Sequence, residues 1–163
     1  FTLPLQLCEW AVFVTGWALW RPTPRVCELA YFWTLAGSLQ AVLTPDLGIG
    51  CPDRRVVQFF VSHCTVVLGA LYLALTGRVQ ATPWSVWRVW LLTNGYALIA
   101  GAANGVLGTN YGYLAHKPLR PSLLDHLGPW PWYILSMEAV ALASFFVYYA
   151  PLALGHRTAR KEN

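Results

Sequence analysis

Charge is what this sequence has least of. Asp, Glu, Lys and Arg make up 11% of its 163 residues, against about 25% in a soluble domain. So little charge cannot cover a surface that meets water on every side, which excludes a soluble globular protein. Blocks of basic residues are also missing. The Lys and Arg are scattered, and the net charge of +4 and the pI near 9.0 point to orientation in a membrane rather than to nucleic acid. Cysteine is limited to Cys8, Cys27, Cys51 and Cys64, at spacings that fit no zinc or redox motif. Three of the four lie within or at the ends of apolar runs, which argues against a disulfide framework. There is no repeat of fixed period and no low-complexity segment. The first apolar run has neither a basic flank nor a small-residue cleavage site, so it does not read as a signal peptide.

What is present is apolar. Hydrophobic residues make up 56% of the chain, and mean hydropathy is +0.45. Five apolar runs stand out, each near the ~20 residues that span a bilayer. They predict helices at about 4–20, 26–43, 56–77, 86–107 and 132–154. Pro- and Gly-rich segments separate them, such as Arg21-Pro22-Thr23-Pro24-Arg25 and the stretch from Pro118 to Pro131. Within lipid only helices and closed barrels satisfy their own backbone groups. The expectation is one all-α polytopic transmembrane bundle over residues 1–163. Residue 1 is Phe rather than Met, and an upstream helix missing from this chain is expected.

The basic residues orient the bundle. Seven of the eleven Lys and Arg fall on the side of the first and third connections and the C-terminus: Arg21, Arg25, Arg78, Arg88, Arg157, Arg160 and Lys161. Arg54, Arg55, Lys117 and Arg120 fall on the other. The positive-inside rule makes the first side, with the C-terminus, cytoplasmic. Trp17, Trp20, Trp84 and Trp87 then sit at the inner interface, and Trp130 and Trp132 at the outer one.

Depth can now be compared. Cys8 in the first helix and His63 in the third both fall roughly 6–11 Å below the outer boundary, at 1.5 Å per residue. Gln6, Glu9, Gln40, Gln58, Asn104 and Glu138 lie at similar levels. Polar groups are expensive in a bilayer and tend to face the bundle interior. A polar pocket in the outer half is therefore expected. A thiol beside an imidazole is a nucleophile–base pair, and Glu9, Glu138 or Asp46 are candidates to orient the ring. Cys8, His63 and a carboxylate would also make a metal set, but two-His helical spacing is missing and no metal is expected. Interhelical hydrogen bonding alone is the plainer alternative. Binding or transport of a small molecule is a third reading.

The remaining signals are weaker. Glu28 lies near the cytoplasmic end and Asn94 midway along the fourth helix, both outside the cluster. Cys64 reads as a small packed apolar residue, and Cys27 and Cys51 as inert. His116, His126 and His156 read as solvated. Gly101 and Gly105 form a GxxxG pair suited to close helix packing. Asn110-Tyr111, with Lys117 and Asp125, lies in a long connection that either folds back over the pocket or stays solvated.

The strings "LPLQLCEW", "CELAYFWTLAGSLQAVLTPDL", "QFFVSHC", "LGTNYGYLAHKP" and "SLLDHLGPWPWYI" resemble the YwaF family of bacterial integral membrane proteins over almost the whole chain. That resemblance implies a multi-pass protein of the bacterial plasma membrane, with one more helix before "LPL…C". The chain is similar, more weakly, to a eukaryotic transmembrane acyltransferase that moves fatty acyl chains between phospholipids. This second resemblance implies Cys8 as nucleophile, His63 as its base and membrane lipid as substrate, without a cofactor. Glu9 stands where that relative has a His. Gln6, Glu9, Gln40, Gln58, Asn104, Asn110 and Glu138 are expected to line the pocket.

Overall fold

A computed structural model describes residues 3–45, 47, 50, 53–118 and 121–159, except for the side chains of 156–159. Asp46, Cys51, Arg120, Arg160 and Lys161, which the sequence singles out, lie outside the described residues, as do the side chains of His156 and Arg157. The described residues form helices and connections, with no strand among them. The helices are α1 (Leu7–Trp20), α2 (Pro24–Leu43), α3 (Arg54–Leu75), α4 (Pro83–Leu107) and α5 (Trp132–Ala159). Two short 3₁₀ turns, Tyr111–Tyr113 and Leu123–Leu127, lie between α4 and α5.

Local chemistry sets the ends. Pro24 and Pro83 open α2 and α4 at the first turn, where the missing N–H costs nothing and the fixed φ is already helical. Thr82 and Ser85 cap α4 reciprocally, and Asp53 caps α3 by accepting the Arg55 N–H at 2.8 Å. These caps start α3 and α4 two or three residues earlier than hydropathy alone suggests. Gly108, at φ +64°, ends α4 in the left-handed region, and its N–H bonds to the Asn104 carbonyl at 2.9 Å.

The first helix differs from expectation. It starts at Leu7, because Gln6 and Glu9 form a capping box, and it has 14 residues. That is about 21 Å of helix, short of the bilayer core. Among the described residues three helices are long and apolar enough to cross a membrane: Pro24–Leu43, Arg54–Leu75 and Trp132–Gly155. At 25 residues α4 has the length, but Trp, Gly, Asn and Thr dilute its hydropathy.

α2 is the centre of the bundle. Cys27, Glu28 and the run Ala30–Leu35 are buried on every side, as a helix surrounded by others must be. It packs on α1, α3 and α4, and its middle segment also meets α5. Phe32 meets Phe145 edge-to-face at 5.6 Å, and the Tyr31 hydroxyl donates to the Tyr148 carbonyl at 3.0 Å. The outward faces of α3, α4 and α5 expose Leu68, Leu75, Leu98, Val106 and Val147, as lipid-facing surfaces do.

Small residues let the helices approach. A methyl group at Gly69 of α3 would stand 3.1 Å from Thr15 Cγ2 and 3.3 Å from Leu19 Cδ1 of α1. The GxxxG pair makes no such contact. Gly105 faces open space, and Gly101 looks toward Leu114 of the following connection. Cys64 is exposed rather than packed, whereas Cys27 is buried.

Candidate functional site

Two inward stripes meet where α1 and α3 pack. On α1 the stripe is Cys8, Ala11, Thr15 and Ala18, spaced i, i+3, i+7, i+10. The last three are buried and Cys8 is half-buried. On α3 it is Val56, His63, Val66, Ala70 and Leu73, all buried except the half-buried His63. With α2 antiparallel between them in the chain, α1 and α3 run the same way. The Gly69–Thr15 contact sets their register. Two turns back from Thr15 is Cys8, and two turns back from Ala70 is His63. Both lie about 10 Å beyond that contact, at one depth and each on its helix's inward stripe.

His63 is held in one orientation. Its Nδ1 lies 2.8 Å from the Phe59 carbonyl oxygen, and its ring packs on Phe59 with centroids 4.1 Å apart. A carbonyl only accepts, so Nδ1 carries a hydrogen, and in the neutral ring Nε2 is the acceptor. Nε2 is buried and finds no hydrogen-bond partner among the described residues. A proton-free imidazole nitrogen turned inward is the form that a general base requires.

The segment before Cys8 is clamped from the far side of the bundle. Tyr96 of α4 donates to the Leu5 carbonyl at 2.8 Å. The Leu3 N–H donates to Tyr111 Oη at 2.8 Å, and the Gly112 N–H donates to Gln6 Oε1 at 3.1 Å. Asn104, buried at the end of α4, holds Tyr111 in place. Its Oδ1 accepts the Tyr111 N–H at 2.7 Å, and its Nδ2 donates to the Tyr111 carbonyl at 3.0 Å. The connection after α4 therefore folds back onto the residues that lead into Cys8.

The other residues read as pocket-lining from the sequence go elsewhere. Glu9 turns back to accept the Gln6 N–H at 2.9 Å. Gln40 is exposed, bonds to Thr44 at 3.1 Å, and borders an open depression of about 420 Å³ with Pro121, Ser122 and His126. Gln58 is exposed on the outer face of α3. Asn110 bonds to the exposed His116, with its Nδ2 2.8 Å from the His116 carbonyl. Glu138 accepts from Asn94 at 2.9 Å, across α4 and α5. Gln6 and Asn104 thus belong to the clamp around Tyr111 and Gly112, Cys8 and His63 to the stripes of α1 and α3, and Glu138 pairs with a residue that depth alone left out.

Several polar contacts carry no sequence signature of their own. Thr15 and Thr34 share a buried hydrogen bond of 3.0 Å between α1 and α2. Trp33 donates to Thr93 at 2.8 Å, and Glu28 pairs with Arg88. Only the i, i+3, i+7 recurrence of small residues on α1 could have marked that face beforehand. Among the described residues no three His, Cys, Asp or Glu side chains converge as metal ligands.

The description of the TMEM164 family matches residues 1–149. The chain belongs to the TMEM164 family. That match takes in Cys8, His63, all of α1–α4 and most of α5, so the bundle described above is the family's own segment. With its apolar helices, it makes the chain an integral membrane protein. No curated protein and no solved structure matches the chain.

Proposed function

We propose that this TMEM164-family chain is a membrane-embedded acyltransferase or acyl hydrolase that acts on lipid, with Cys8 as nucleophile and His63 as base. The observation that carries this reading is His63 itself. Its Nδ1–H is spent on the Phe59 carbonyl, while Nε2 is buried and without a partner among the described residues, at the depth that helix arithmetic gives Cys8 on α1. A buried acceptor with nothing to accept is costly, and a transferable proton from a thiol gives it a use. The weaker resemblance to a eukaryotic phospholipid acyltransferase supports the same reading and supplies the substrate class.

The chemistry balances without a cofactor. His63 Nε2 takes the proton from Cys8 Sγ, and the thiolate attacks the ester carbonyl carbon of a phospholipid. The tetrahedral intermediate collapses, the C–O bond breaks, and the lysolipid alkoxide leaves with the proton from the imidazolium. The hydroxyl of a second lysolipid, or water, then attacks the acyl thioester on Cys8 as His63 accepts its proton, the C–S bond breaks, and the departing Cys8 thiolate takes the proton back from the imidazolium. The lipid reaches the site sideways through the bundle. If the positive side is cytoplasmic, Cys8 serves the outer leaflet.

The test is acyl transfer from a labelled phospholipid to a lysophospholipid in proteoliposomes. Wild type should transfer label and carry a hydroxylamine-labile acyl group on Cys8. Cys8→Ala should abolish both, and His63→Ala should slow transfer about 10²–10⁴-fold. Full activity in Cys8→Ala would sink the reading.

A further inference from the structure

Ser38 Oγ is a further buried polar atom without a partner among the described residues. Ser38 is 1% exposed, and its hydroxyl makes no hydrogen bond among the described residues. It lies in Thr34–Leu39, where α2 opens into a π-helical turn. Such turns interrupt the regular backbone ladder and recur at functional sites.

Its direction follows from its neighbours. Thr34, one turn earlier, bonds to Thr15 of α1. A methyl group on Gly37 would stand 3.5 Å from Leu7 Cδ2 of α1. On the helix surface Ser38 falls between Thr34 and Gly37, so it shares the face turned to α1, and the same segment packs against α3. In depth it stands with Gly37 at the level of Leu7, within one turn of Cys8. Three helices thus each bring one reactive or hydrogen-bonding group to one level: Cys8, Ser38 and His63.

We propose that Ser38 Oγ–H is the donor that receives the acyl carbonyl oxygen of the substrate as it becomes an oxyanion, a role that rests on the acyl-transfer reading above. The assignment gives each group one task. His63 accepts the thiol proton, Cys8 forms the bond to carbon, and Ser38 donates a hydrogen bond to oxygen without losing its proton. A donor left unsatisfied in the resting state is already desolvated and free to turn to a charge that develops only in the transition state.

Two reactions of Cys8 separate this role from the others. Acylation by a p-nitrophenyl fatty ester passes through an oxyanion, whereas alkylation by iodoacetamide does not. In Ser38→Ala the ester reaction should fall about 10²–10³-fold, while alkylation stays within about twofold of wild type. The melting temperature should hold or rise, since no hydrogen bond is lost. His63→Ala should slow both reactions. Ester acylation in Ser38→Ala near the wild-type rate would overturn the role of Ser38 and leave Cys8 and His63 intact. Equal slowing of both reactions would make Ser38 a structural residue and also overturn it. If wild-type Cys8 alkylates but is never acylated by the ester, the acyl-transfer reading fails and the role of Ser38 falls with it.

Discussion

The Glu28–Arg88 pair predicts an asymmetry that can be worked from burial. The Glu28 side chain is 5% exposed and that of Arg88 is 32% exposed. Replacing Arg88 with Met strands the carboxyl group in the centre of the bundle with no cation. Breaking a buried pair in this way costs about 3–5 kcal/mol. Replacing Glu28 with Leu leaves Arg88 in a milder position. Its guanidinium keeps the Ser85 hydroxyl at 3.3 Å, and a third of the side chain already reaches the surface, so it extends outward along its aliphatic stem. That change should cost only about 1–2 kcal/mol. The double variant Glu28→Leu/Arg88→Met removes both groups and should be more stable than Arg88→Met alone. Unfolding in mixed SDS and maltoside micelles, followed by tryptophan fluorescence, measures all four members of the cycle. Equal losses in the two single variants, or strict additivity in the double, would refute the argument that burial decides the cost.

Gly69→Ala should change stability by less than about 1 kcal/mol, because the helix-propensity gain offsets a Cβ tight against Thr15 and Leu19. Gly69→Leu forces α1 from α3 and should cost about 1–3 kcal/mol in the same unfolding assay; a neutral result would show that the contact does not set the register. Asn104→Ala removes both bonds that hold Tyr111 and should cost about 2–3 kcal/mol. Hydrogen exchange should then quicken at residues 3–6 as well as 109–114, and acceleration confined to the loop would separate it from the Cys8 segment. At the start of α3, the hydrogen bond from the Arg55 side chain holds the Asp53 carboxyl below its usual range. Its folded-state pKa is below the unfolded one. The stabilisation is therefore present above the ordinary carboxylate value of about 3.9 and is lost as pH falls through the folded value. Melting measured from neutral to acid pH should show wild type losing its advantage over Asp53→Ala at the acid end; a constant advantage would show that the charge on Asp53 does not matter.

Five helices and a membrane setting were legible because both follow from one-dimensional patterns. Length, hydropathy and breakers locate apolar helices, and topology converts residue number into depth. The same patterns placed the ends of α3 and α4 a turn or less from their caps, and overextended α1 because hydropathy does not see that Gln6 and Glu9 close a capping box. Depth alone also gathered residues that the fold keeps apart. Gln58 and Gln40 lie at suitable levels but are exposed, and Glu138 is taken by Asn94.

The sequence by itself determined that the chain is a helical membrane protein and how far along each helix its polar groups sit. Azimuth, and hence partnership, was decided by tertiary structure. The rotation of each helix is set by which small residues allow close approach, as Gly69 does against Thr15 and Leu19. That packing buries His63 Nε2 on α3 and Ser38 in its π turn, joins Thr15 to Thr34, and brings Tyr111 back to Leu3. Each of these pairings joins residues distant in the chain, and none has a local energy that a single helix could express.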